Sequence, residues 1–423
     1  MADVVVIGAG VAGLSVATFL GDRHRVKVVD PQPGGKVRTL QRDGFRVENA
    51  ANGWLDSEPA MTQLLAMLGL QQQVVQATEG TRWLARGEGL IPLPKKPPQI
   101  LKSPLLSWGG KLRALADLVM PRGPGEETIA SFVRRRLGQE VLDTLVAPMV
   151  AGIHAGDTEA LSVEACFPRL KALERDHRSL LMAVRAERPT PGKLTSMTMG
   201  AGVLTQTMVD RLDIERTRCV ELKPGWTVVT EDGVLAADAV VLACPGHAAK
   251  TLLAFDDALP SLVGSIPYAP IATVSVGLPR WDEAPEGFGL LVPPKEGRGI
   301  LGTLFESNTF PNRAPKDHVL LRTMLGGALN PLQARLERRG LIEAARRENE
   351  RLLGPLPDAV MTEVRVHAQG IPQYLLSHPQ RVRSIQERAP ERLFLTGNHL
   401  RGVAVKDCVR DAKRIAEAVD AAL

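Results

Sequence analysis

The chain's 423 residues suffice for two or three domains with complete cores, and 44% hydrophobic with 23% charged residues is the balance of a globular protein. The formal charge is +5, yet Leu93 to Gly123 alone holds Lys95, Lys96, Lys102, Lys111, Arg113 and Arg122 against Asp117; the surplus is local, which excludes a general nucleic-acid-binding surface. Cys166, Cys219, Cys244 and Cys408 form no CxxC pair, which speaks for reduced thiols in a cytoplasmic setting rather than a metal centre or disulfide framework; no basic leader opens the chain, and no run of about twenty apolar residues could span a bilayer.

In chain order, Val4, Val5, Val6 and Ile7 form an apolar run, the pattern of a strand buried on both faces of a parallel sheet. Gly8-Ala9-Gly10-Val11-Ala12-Gly13 follows at once, and Leu14 to Leu20 read as a helix. Gly8 permits the tight turn, Gly10 admits a pyrophosphate, and Gly13 lets helix and strand approach closely. The helix start then offers free N–H groups to phosphates. A second apolar strand, Val26 to Val29, ends in Asp30, 17 residues past Gly13, where a carboxylate receives the ribose hydroxyls of an adenine dinucleotide. Strand, turn, helix and acid in register weigh against a glycine-rich loop that binds nothing; FAD and NAD both suit Asp30.

Gly34-Gly35-Lys36-Val37-Arg38-Thr39 resembles the GG-(R/K)-x-x-(S/T) element that follows the dinucleotide fold in the FAD-dependent amine oxidase and desaturase superfamily, with Lys36 in reach of the phosphates. Gly44 to Glu48 then read as a strand, Ala50 to Leu55 as a loop, Pro59 to Leu70 as an amphipathic helix and Thr81 to Leu93 as a hairpin. A proline-rich basic stretch, Pro94 to Pro104, opens helices up to about Glu187, of which Thr128 to Leu137 and Glu140 to Val150 are the clearest. Leu194 to Met199 return to a sheet and Gly202 to Leu212 form a helix. Strands follow at Cys219 to Leu222, Trp226 to Thr230 and Ala239 to Ala243. Thr273 to Gly277 (strand), Pro331 to Leu352 (helix) and Leu393 to Thr396 (strand) lead to a terminal helix, Asp407 to Ala422, with Asp407 as its N-cap.

Over nearly its whole length the chain resembles the oxygen-dependent protoporphyrinogen oxidases, FAD enzymes of late haem biosynthesis. Five separated blocks carry the likeness: Val47-Glu48 with Asn52 and Trp54 to Pro59; Ala151-Gly152-Ile153-His154-Ala155-Gly156-Asp157; Leu301 to Leu304 with Phe310 to Pro315; Gly370-Ile371-Pro372-Gln373-Tyr374; and Gly397-Asn398 with Arg401 to Val405 and Asp407-Cys408. Three departures stand out. Ala50-Ala51 occupy the usual Gly-Pro position, His154 replaces a tyrosine, and Lys406 replaces an asparagine.

The resemblance implies an α/β fold of α+β two-domain type. Residues 1–80 with 194–261 and 386–423 would form a discontinuous Rossmann-type FAD domain. Residues 81–93 with 262–385 would form a mixed-sheet substrate domain, and 94–193 a helical, membrane-associating insert. It implies noncovalent FAD held by Gly8, Ala9, Gly10, Val11, Ala12, Gly13, Asp30, Pro31, Lys36, Ala50, Ala51, Asn52, Gly53, Val220 (through its backbone, with Cys219 fitting the strand phase about as well), Asn398, Val403, Ala404 and Val405. The implied reaction oxidises protoporphyrinogen IX to protoporphyrin IX, with dioxygen as acceptor and hydrogen peroxide as product. Arg82 would bind a propionate; Phe310 and Leu291 would flank the tetrapyrrole, and Ala155 and Gly156 would bring backbone near it. No catalytic side chain and no metal is expected, because the flavin carries the chemistry.

Lysines interleaved with Ile100-Leu101, Leu105-Leu106, Trp108 and Leu112 read either as a solvated face or as a peripheral anchor on the anionic inner face of the cell membrane. Coproporphyrinogen III is the competing substrate, and a carotenoid or amine oxidase a remote one. A non-catalytic GDP-dissociation-inhibitor-like protein shares the architecture, but Gly8, Gly10, Gly13 and Val403 to Val405 are intact here. Oligomeric state is left open, a homodimer included.

Overall fold

A computed structural model describes residues 1–94, 99, 102–123, 125–187 and 192–423. Its centre is a five-stranded parallel sheet in the order Ile214–Glu215, Arg25–Val29, Asp3–Ile7, Ala239–Leu242, Leu393–Leu395. Chain order reverses direction beside the first strand, so a crevice opens at the carboxyl ends of Asp3–Ile7 and Ala239–Leu242, the topological switch point of such sheets.

Both faces of this sheet are covered, which explains the unbroken valine runs of its strands. On one face helices Val11–Leu20 and Val405–Ala422 pack together, with Leu14, Ala17, Val409, Ala412, Ile415 and Val419 in one core. On the other, Val5, Ile7, Val240 and Leu242 meet a three-stranded antiparallel sheet through Leu222, Trp226 and Val228.

A seven-stranded mixed sheet runs in the order Met361–Pro372, Tyr268–Pro279, His318–Gly326, Gly302–Phe305, Gly289–Leu291, Arg82–Arg86, Gly89–Pro92. Ala272, Val274, Phe305 and Leu321 bury one face against Ala344 and Ala345 of helix Arg338–Leu353. The other face meets the loop after strand Phe45–Glu48, where Arg322 reaches the Ala50 carbonyl at 2.7 Å.

The helices between residues 108 and 187 have their own core of Leu106, Ile129, Phe132, Val133, Leu142, Val150 and Val163. A charge cluster ties them together. Arg136, fully buried, lies 3.2 Å from Asp117 and 2.8 Å from Glu174, while Arg135 and Lys171 bridge Glu174 to Glu127.

Several element boundaries differ from the sequence reading. Glu140 to Val150 is not one regular helix: Gln139–Val141 is α-helical, Leu142–Val146 is a π-turn and Ala147–His154 is α-helical again. Pro148 cannot donate to the carbonyl four residues back, and the widened turn precedes it. The long helix starts at Arg338, not Pro331, after a short 3-10 turn at Gln333–Arg335. Ala404, not Asp407, caps the terminal helix: the Asp407 and Cys408 amides already donate to the Ala404 carbonyl, and the Asp407 carboxylate pairs with Arg410. Leu105 and Leu106 point inward and are buried, whereas Trp108, Leu112, Leu115, Leu118 and Val119 are exposed. Lys95, Lys96, Ile100 and Leu101 lie outside the described residues.

Burial alone would raise the Glu174 carboxyl, but hydrogen bonds from Arg135, Arg136 and Lys171 hold it down at about 2. A carboxylate depressed from an ordinary 4.5 stabilises the fold above pH 4.5 and loses that contribution as pH falls toward 2. Hydrogen exchange should therefore show the helices around residues 129–177 losing protection over that window; protection unchanged down to pH 2 would contradict the assignment.

Candidate functional site

The three loop glycines have different surroundings, and the differences fit a phosphate. A Cβ on Gly8 (φ +110°) would lie 2.7 Å from the Cys244 amide nitrogen, and one on Gly13 would lie 1.9 Å from the Gly8 carbonyl oxygen. A Cβ on Gly10 would have no heavy atom within 4 Å. Two glycines therefore serve packing, and the third borders open space at the start of helix Val11–Leu20. That helix has no side-chain cap and no first-turn acid, so its first amides are free to receive an anion. Ala9, Val11 and Ala12 belong to the same turn. Gly35 seals its far side, a Cβ there lying 2.8 Å from the Gly10 Cα.

Asp30 stands where its strand ends, one carboxylate oxygen accepting from the Ala9 amide and the other from the Gln32 amide, each at 2.7 Å. Pro31 beside it is exposed. Val220 falls at a bulge in strand Cys219–Lys223: the ladder passes from Cys219 to Glu221 and leaves Val220 out of register. A residue taken out of the ladder has backbone groups to offer.

Lys36 does not stand free. Its ammonium is held by the carbonyls of Gln369 at 3.0 Å and Gly370 at 2.5 Å, and burial lowers its pKa. It thus fastens the glycine turn to strand Met361–Pro372. Asn398 gives its carbonyl to the Tyr374 hydroxyl. Val403 and Ala404 lead into the terminal helix, and Val405 already belongs to the core beneath it.

Ala50, Ala51, Asn52 and Gly53 are half-buried between the two large sheets. Beneath them lies a buried cluster of four charges that the sequence reading did not assign. Arg313 is 3.3 Å from Glu48, and Arg322 is 2.9 Å from Glu306. Burial, reinforced by the Glu306 charge and opposed by Arg313, pushes the Glu48 carboxyl up to about 7. A lone charge inside the apolar run Val319 to Leu325 was the available signal for Arg322.

Of the expected substrate residues, Arg82 and Leu291 share one face of the mixed sheet, since Arg82 pairs with Gly289 and Leu84 with Leu291. The Arg82 side chain is exposed and lies 4.9 Å over the Phe288 ring, with no carboxylate partner among the described residues. Leu291 abuts helix Ala147–His154, where a Cβ on Gly152 would come within 2.9 Å of it. Ala155 ends that helix in a left-handed conformation (φ +46°), and Gly156 borders a cavity of about 120 Å³ with Asp157, Pro294 and Lys295. Phe310 is not brought to this face. It is 1% exposed and packed under the Arg313 guanidinium at 5.2 Å.

A family model described as flavin containing amine oxidoreductase matches residues 11–420. The chain belongs to that family. Its cofactor is FAD, and the glycine turn, Asp30 and the open face at Gly10 fit such a dinucleotide. Among curated relatives, a chloroplastic protoporphyrinogen oxidase of Nicotiana tabacum is 30% identical over 99% of this chain and 85% of its own length. A coproporphyrinogen III oxidase of Propionibacterium freudenreichii is 30% identical over 99% of this chain and 91% of its own. A putative protoporphyrinogen oxidase from Exiguobacterium, 24% identical, superposes with a TM-score of 0.89 over 99% of both chains.

In this flavoprotein Gly10→Val should abolish FAD binding while changing the melting temperature of the apoprotein little, because the new Cβ has no protein atom within 4 Å. Gly13→Val should instead lower stability. A Gly10→Val protein that purifies yellow would show the pyrophosphate lies elsewhere.

Proposed function

We propose that this flavoprotein oxidises protoporphyrinogen IX to protoporphyrin IX, with dioxygen as acceptor and hydrogen peroxide as product. The names of its relatives favour a porphyrinogen substrate. The observation that carries the reading is Arg82: a guanidinium with no carboxylate partner among the described residues, on the same sheet face as Leu291, a face bordered by helix Ala147–His154. A planar cation sharing a sheet face with an apolar side chain suits a flat ring with propionate arms. Coproporphyrinogen III remains the second reading, since relatives of that name match as fully.

FAD held here would supply the redox chemistry, hydride acceptance from a substrate carbon with reoxidation by dioxygen. The protein's part is orientation. Gly10 and the first-turn amides would hold the pyrophosphate, Asp30 the ribose, and residues 50–53 the flavin side. Leu291 presses on the ring, and Arg82 sets its angle through a carboxylate. The terminal helix directs its positive end toward Val403 to Val405, where negative charge on the cofactor is stabilised. No side chain is assigned a proton-transfer role. His154 and His378, both pushed down to about 4 by burial, are neutral and packed.

We also propose peripheral attachment to an anionic membrane. No helix among the described residues is long and apolar enough to cross one. Trp108, Leu112, Leu115 and Val119 recur at helical spacing and are exposed, Trp108 at 76% and Val119 at 78%. Lys111 lies over the Trp108 ring at 4.8 Å. Apolar side chains flanked by lysines match a lipid interface.

Two measurements test these readings. Arg82→Ala should lose roughly ten- to a hundredfold in kcat/KM, the worth of a charged hydrogen bond. Arg82→Lys should recover part of it, with the FAD spectrum unchanged in both; wild-type kcat/KM in Arg82→Ala would place the carboxylate elsewhere. Neutralising Lys95, Lys96 and Lys102 should weaken sedimentation with anionic vesicles by up to about 1 kcal/mol per charge. Wild type that stays in the supernatant at low salt would leave the exposed face solvated.

A further inference from the structure

Three successive carbonyls of the loop after strand Phe45–Glu48 are held from the mixed sheet. Arg322, 3% exposed, donates from Nη1 to the Ala50 carbonyl at 2.7 Å and to the Glu48 carbonyl at 3.2 Å. His367 meets the Asn49 carbonyl through Nε2 at 3.1 Å. A carbonyl only accepts, so that nitrogen carries the ring's proton. Behind the guanidinium, Glu306 lies 2.9 Å from Arg322 Nε and is itself buried.

A trans peptide directs its N–H opposite to its C=O. With the Asn49 and Ala50 carbonyls turned toward Arg322 and His367, the amides of Ala50 and Ala51 face away from the mixed sheet. Among the described residues, the amides of Ala50, Ala51, Asn52 and Gly53 donate to no protein acceptor. Nothing within the loop fixes this orientation: Ala50-Ala51-Asn52-Gly53 contains no proline and ends in glycine. The constraint comes from outside. Its source is costly, since a buried guanidinium and a buried carboxylate must both leave water, where an apolar pair would not.

We propose that Arg322, backed by Glu306 and flanked by His367, is the positioning residue that sets the backbone of residues 50–53 for the cofactor. This rests on the reading of that loop as the flavin side of the site. Arg322 touches neither substrate nor cofactor; it acts through the loop's peptide planes. The mixed sheet, which presents Arg82 and Leu291 to the substrate, thereby also orients the flavin's neighbour. One rigid element references both reactants.

The test uses the full-length protein, stripped of flavin and titrated with FAD, and the reloaded holoenzyme for absorption spectrum and midpoint potential. Arg322→Gln should bind FAD roughly tenfold or more weakly, the loss of a charged hydrogen bond, and should shift both spectrum and potential. Arg322→Lys should fall between, because one ammonium cannot hold two carbonyls and Glu306 together. Glu306→Gln, which leaves the guanidinium on the carbonyls, should shift the same readouts less. Folded Arg322→Gln with wild-type affinity, spectrum and potential overturns the proposal; if that variant does not fold, Arg322→Lys and Glu306→Gln decide by the same readouts. Asn52→Trp separates the two readings. If it disturbs the flavin while the Arg322 variants do not, the loop reading stands and the positioning role falls. If Asn52→Trp leaves the flavin untouched, the loop reading itself falls, and the proposal with it.

Discussion

Glu48, Arg313, Glu306 and Arg322 meet out of water where the parallel sheet's loops enter the mixed sheet, and neither half is complete without the other's charges. Glu48 accepts from the Thr39 hydroxyl of its own hairpin and from the Ala201 amide, and so joins that hairpin to a segment distant in sequence. Arg313 reaches on to Ser196, Met197 and Thr198, around a strand that itself pairs with Trp54. Removing any one charge strands its partner in a dry interior, at a typical cost of about 3–5 kcal/mol. The cluster therefore holds the two sheets in one register. The position of residues 50–53, and with it the distance between cofactor and substrate faces, follows from that register.

Much of this was legible beforehand because the parallel unit is written locally. Valine runs, the spacing of Gly8, Gly10 and Gly13, and Asp30 at a strand end each specify one backbone event, and each sits within 30 residues of the start. The surroundings of Gly10 add what spacing alone lacks, an open face beside two closed ones. The terminal helix is legible in the sequence, but its cap lies three residues before Asp407. There a backbone carbonyl, not the Asp407 side chain, receives the first-turn amides.

What sequence could not supply was set by partners far along the chain. Lys36 reads as a phosphate ligand beside its glycines, yet its ammonium ends on carbonyls at 369 and 370. Phe310 reads as a ring-stacking residue, yet Arg313, three positions later, turns back over it. Leu105 and Leu106 sit in a basic amphipathic stretch but are buried, Leu106 in the core of the helices between 108 and 187, and the outward stripe begins with Trp108. In each case the residue type was read correctly as cationic, aromatic or apolar. Its direction depended on contacts that no local period encodes.

Leu14 and Ala17 of the first helix share a core with Val409, Ala412, Ile415 and Val419 of the last. Strand Leu393–Leu395 closes the sheet that the first strand opens. During synthesis, then, the glycine turn emerges early but waits for nearly four hundred residues before the helix that buries its own helix appears. Until then an apolar face of the first helix has no cover, and exposed surface of that kind is prone to aggregate. A glycine turn whose helix is buried by residues 405–422 is thus a local motif with a remote support, and a bound flavin reports that the remote helix has docked.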